Sequence, residues 1–143
     1  MIRPAPVLLA ALLALPACAD SGPARRTPLS GGAPTTDRAV KAGRAFTLAP
    51  GDTASLSGVR VTFVGVSSDS RCPSDVTCAW PGDAAIDLGT SDGPITLHTL
   101  QTPSNPPIPI GPYHLVLLDL LPKPHSDTPL PPTSYRLHLR LDP

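Results

Sequence analysis

The chain has 143 residues, 21 of them proline, and its eleven basic and eleven acidic side chains cancel to a formal net charge of zero. Nucleic acid is excluded as a partner, because the cations are scattered and form no patch interleaved with aromatics. Proline at this frequency excludes a helical fold, since the ring removes a backbone donor and clashes with the preceding turn.

The first element is an export signal. Arg3 is followed by an apolar run from Ala5 to Ala17, too short for a spanning helix but of the size of a secretory hydrophobic region. Residues 1–17 are therefore expected to be removed as a signal peptide. Leu15-Pro16-Ala17-Cys18 resembles the lipobox of bacterial lipoproteins, although Pro16 stands where that pattern usually has a small or β-branched residue. The resemblance implies lipidation of Cys18 and a partnership with the membrane through it. Ala19 after the cysteine implies, by the sorting rule of double-membraned bacteria, the periplasmic side of the outer membrane. The alternative is an ordinary secretory signal and a soluble secreted or periplasmic protein. Cysteine usage favours the anchor: Cys72 and Cys78 are close enough to pair in an oxidising compartment, and acylation accounts for the remaining thiol.

Residues 18–42 read as a lipid-anchored flexible tether, because Gly and Pro interrupt every period and almost no large apolar residue is present to offset ordering entropy. Residues 43–143 read as one all-β domain. Seven strands are expected in a small antiparallel sandwich, with a partly open barrel as the alternative. They run from Arg44 to Leu48, Ala54 to Leu56, Val59 to Val66, Ala84 to Gly89, Ile95 to Leu100, Tyr113 to Leu121 and Tyr135 to Leu141. Val64 and Val66 suggest that one end of the third strand is covered on both faces. The near-continuous apolar run from Leu115 to Leu121 suggests an interior strand. Ser91-Asp92-Gly93 is a hairpin signal. The proline-rich crossing from Pro103 to Pro112 is expected to lie extended over a sheet edge, because it lacks the donors of a central strand.

The segment from Asp69 to Asp83 is the most idiosyncratic. Pro73 in the second turn position, followed by Ser74 and Asp75, is expected to bring Cys72 and Cys78 into bonding range. Trp80 is expected to fold back over the disulfide, and Arg71 to pair with Asp69, Asp75 or Asp83. The run Ser70-Arg71-Cys72-Pro73, the cysteine six residues on and the Trp80-x-Gly82-x-Ala84 pattern resemble a family of uncharacterised small bacterial secreted proteins and lipoproteins. Pro81 and Lys123 depart from that pattern, and the resemblance implies no activity. Arg71, Trp80 and Asp75 are the candidate contact residues for an envelope protein partner, because Trp and Arg are common interface anchors.

Catalytic signals are sparse. His98, His114, His125 and His138 do not fall at metal-ligand spacing, so no metal, no cofactor and no catalytic residue is expected. Asp119 stands in phase with Leu115 and Leu117, so it is expected to be hydrogen-bonded, paired or at the rim, and a buried structural acid is favoured over a perturbed carboxylate. The expectation is a monomeric, non-enzymatic binding or structural module of the cell envelope. One alternative is a small hydrolase or metal-dependent enzyme built on Asp119 and nearby histidines. The other is an inhibitor that uses the Cys72 to Cys78 ring as bait.

Overall fold

The computed structural model describes residues 36–100 and 107–143. Cys18, the signal segment, the tether up to residue 35 and residues 101–106 of the proline-rich crossing lie outside the described residues.

Nine strands are present among the described residues: β1 Asp37–Ala39, β2 Ala45–Leu48, β3 Thr53–Leu56, β4 Val59–Asp69, β5 Ala84–Thr90, β6 Gly93–His98, β7 Ile108–Ile110, β8 Tyr113–Leu121 and β9 Arg136–Asp142. They form two sheets, ordered β1-β3-β4-β5-β6 and β2-β9-β8-β7, and the apolar faces of both supply one core. The fold is a β-sandwich, with every strand pair antiparallel except β1 on β3. It is not a closed barrel.

Two strands exceed the expected seven. β1 lies within the segment read as tether, so the folded region reaches past the boundary placed at residue 43. Thr53 N–H donates to the Thr36 carbonyl at 2.9 Å, and Val40 N–H donates to Ser55 at 3.0 Å. This backbone pairing needs no apolar side chains, which is why composition did not reveal it. β7, from the proline-rich crossing, pairs with β8 at the edge of its sheet, where a proline lacking a donor is tolerated.

Alternation sets the core. Val59, Val61 and Phe63 of β4, Ile86 and Leu88 of β5, and Leu137, Leu139 and Leu141 of β9 are buried, each set at the period of two that a strand imposes. Bulges then correct the simple phase. In β4 the register shifts after Phe63 and again after Val66. Val66 consequently packs against the core while Val64 is 62 % exposed, so Val64 is not covered as its neighbours had suggested. In β8 a shift between Leu117 and Asp119 turns Leu120 inward and leaves Leu118 exposed. β8 is therefore not interior on both faces, and Asp119 is not a buried acid. One extra residue spares the core an unpaired carboxylate.

Turn chemistry fixes the connections. Ser57 and Gly58 both have positive φ, the primed turn that matches strand twist in a two-residue hairpin. The β5 to β6 hairpin closes over Ser91 and Asp92, with Gly93 opening the next strand at φ +125°.

Candidate functional site

The loop joining β4 to β5 continues their ladder before it leaves the sheet. Ser70 N–H donates to the Asp83 carbonyl at 2.7 Å, and Cys72 N–H to the Pro81 carbonyl at 2.8 Å. Beyond this neck, Cys72 and Cys78 are joined as a disulfide, with Cα atoms 6.0 Å apart. The turn inside the ring is one residue later than expected. Val76 N–H donates to the Pro73 carbonyl at 3.3 Å, which makes Pro73 the first turn residue. Gly82 closes the neck at φ +66°, and a Cβ there would stand 1.9 Å from the Ser70 carbonyl oxygen. Only glycine fits this backbone approach.

Arg71 is a structural clamp, and this corrects its assignment as a contact residue. Its Nε donates to Asp69 Oδ1 at 2.9 Å and its Nη2 to Asp69 Oδ2 at 2.7 Å. Its remaining bonds go to backbone across the sandwich, from Nη1 to the Leu120 carbonyl at 2.6 Å and from Nη2 to the Pro122 carbonyl at 3.0 Å. The two side chains are only 9 % and 12 % exposed, so the planar guanidinium fork is spent inside the protein. Tyr135 Oη donates to Asp69 Oδ2 at 3.1 Å. Burial would push the Asp69 carboxyl up, but the hydrogen bonds and charge of Arg71 outweigh it and hold the pKa below the usual value. The same surroundings push Tyr135 up, chiefly by burial and then by the charge of Asp69.

Asp75 is also engaged rather than free. It accepts from Ser126 N–H at 2.9 Å and from the Ser126 hydroxyl, and Ser74 N–H donates to the Pro124 carbonyl at 2.9 Å. These bonds tie the ring to the segment after β8. The Ser126 donors hold the Asp75 pKa below its usual value.

Trp80 behaves in the opposite way. It does not cover the disulfide but stands 79 % exposed. Val76, four residues earlier, is half-exposed, and Cys78 between them is exposed. The loop is thus clamped at its base and apolar at its crest.

Beside the loop lies a cavity of about 350 Å³, walled by Pro81, Leu100, Leu117, Leu118 and Pro124 with Asp119 and Lys123 among the polar residues. Its volume is within the range of small-ligand sites. Asp119 Oδ1 accepts from Lys123 Nζ and, at 2.8 Å, from Leu120 N–H. Burial raises its pKa, but these donors outweigh it, and the net shift is downward. Asp83, at the foot of the loop, accepts from Leu100 N–H at 2.8 Å, Thr99 Oγ1 at 3.1 Å and His98 Nδ1 at 2.5 Å. Burial is again outweighed and its pKa falls.

These carboxylates are held as anions, whereas general acid catalysis near neutrality needs a pKa raised toward the working pH. His138 stands opposite Asp119 in the β8 to β9 ladder, yet both donors to that carboxylate come from elsewhere. His125 Nδ1 lies 2.7 Å from Asp127 and 3.5 Å from Asp75. Among the described residues no group of His, Cys and Asp side chains is arranged to hold a metal ion, and no helix is long and apolar enough to cross a membrane. No protein-family model, curated protein or solved structure matches the chain.

Proposed function

We propose that this protein is a lipid-anchored contact module of the bacterial cell envelope, held to the membrane through Cys18 and without catalytic activity of its own. The Cys72 to Cys78 loop is its contact surface. The observation that carries this reading is Trp80, a large apolar side chain projecting into solvent from a backbone pinned by a disulfide, a β-ladder neck and bonds to residues 120–126. A rigid loop meets its ordering cost before a partner arrives, and tryptophan is the most favoured interface anchor. The lipobox-like run before Cys18 supports the anchor, since two or more acyl chains make stable membrane attachment.

The test is a photocrosslinking amino acid placed at position 80, or at position 64 as control, in the full chain expressed in its own envelope. Adducts specific to position 80 are expected. Their absence there, with normal protein levels, overturns the contact surface. Mass spectrometry of the mature N-terminus separately decides the anchor, which an unmodified Cys18 overturns.

A further inference from the structure

Five large apolar side chains are exposed among the described residues: Val64, Val76, Trp80, Leu100 and Leu118. All but Val64 gather at one end of the sandwich. Val76 and Trp80 are on the loop, and Leu100 and Leu118 are on the wall of the adjacent cavity. Single exposed apolar residues are ordinary, but a cluster marks an interaction surface.

The same end is acidic. Asp75, Asp83, Asp119 and Asp127 lie there, against Lys123 and Arg136, while Asp69 and Arg71 neutralise each other. Among the described residues at this end, the four carboxylates left over outnumber the two cations of Lys123 and Arg136. Both donors to Asp119 reach its Oδ1, and both donors to Asp127 reach its Oδ1. Among the described residues this leaves Oδ2 of each carboxylate to accept from a partner. An anionic bilayer surface is disfavoured by this charge. A polypeptide that flanks apolar side chains with lysine or arginine is favoured.

We propose that this end of the sandwich binds a basic, apolar polypeptide segment of an envelope protein. One apolar side chain of that segment enters the cavity between the loop and β8, Trp80 packs over it, and its cations meet Asp119 and Asp127. The inference rests on the contact-module reading and names the partner of that same surface.

Trp80 is the only tryptophan in the chain, so its emission reports the contact directly. The full mature chain is titrated with two end-blocked, tryptophan-free pentapeptides sharing a Leu-Phe-Leu core, one with lysine at both ends and one with glutamate. The lysine peptide is expected to shift the emission to the blue and to bind several-fold more tightly. That preference should collapse near ~1 M salt, where the screening length is about 3 Å. It should also shrink toward unity in an Asp119→Asn, Asp127→Asn double variant with an unchanged denaturation midpoint.

No response to either peptide, equal affinity for both, or a response to phosphatidylglycerol vesicles without one to the lysine peptide overturns the inference. If position 80 nevertheless crosslinks in the envelope, the contact module stands and only the partner chemistry fails. If position 80 does not crosslink, both fall.

Discussion

The two halves of the β4 to β5 loop use similar chemistry to opposite ends. From Asp69 to Asp75 the polar side chains are turned inward or sideways: Arg71 reaches the Leu120 carbonyl of the opposite sheet and the Pro122 carbonyl just beyond β8, and Asp75 captures Ser126. From Val76 to Trp80 the residues are exposed. The first half makes the loop part of the domain, and the second presents it. The contrast teaches that an arginine and a tryptophan nine residues apart, both typical interface anchors, are told apart only by which of them already has partners.

The comparison can be broken from the clamp side. Arg71→Met removes one member of a buried ion pair and leaves Asp69 without its main counter-charge, which typically costs about 3 kcal/mol or more; urea denaturation should show that loss, whereas Trp80→Ala should not. Gly82→Ala places a methyl against the Ser70 carbonyl at a left-handed φ and is expected to cost about 2 kcal/mol. An equal loss for alanine at the unobstructed Gly65 would show that crowding is not the cause. Opening the ring with Cys78→Ser removes a closure of six residues that is worth about 2 kcal/mol on the entropy model. Because the neck and the Asp75 to Ser126 bonds remain, amide exchange should rise at residues 76–80 more than at residues 70–72.

Acid sharpens the comparison further. The folded pKa of Asp69 lies below the ordinary carboxylate value, so the unfolded chain takes up its proton first. Stability from the clamp is complete above that value and is lost as the pH falls through the folded pKa. The wild-type denaturation midpoint should therefore fall more steeply below about pH 4 than that of Arg71→Met. The smallest expected effect on stability is that of Trp80→Ala, within about 0.5 kcal/mol, accompanied by loss of the contact. A stability loss comparable to that of Arg71→Met would mean that Trp80 is structural.

Much of the architecture is legible in the sequence. The Leu137, Leu139, Leu141 alternation, the apolar β4 face and the turn residues each obey a local rule, and the two loop cysteines are near enough in sequence to meet. The bulges were not legible. Nothing in Leu117-Leu118-Asp119-Leu120 states that one residue is to be skipped, and a strict period buries Asp119 where the fold exposes it. β1 was hidden for another reason: its pairing with β3 uses main-chain groups that every residue carries.

Composition and periodicity by themselves determined an all-β chain with a proline-broken connection and a short cysteine ring, because strands and turns depend on neighbours in sequence. Only the tertiary structure decided that Arg71 is consumed, that Asp119 faces out, and that Trp80, Val76, Leu100 and Leu118 share one acidic end. Burial and pairing belong to groups about fifty residues apart, such as Arg71 with Leu120 and Asp75 with Ser126, and no local rule relates them.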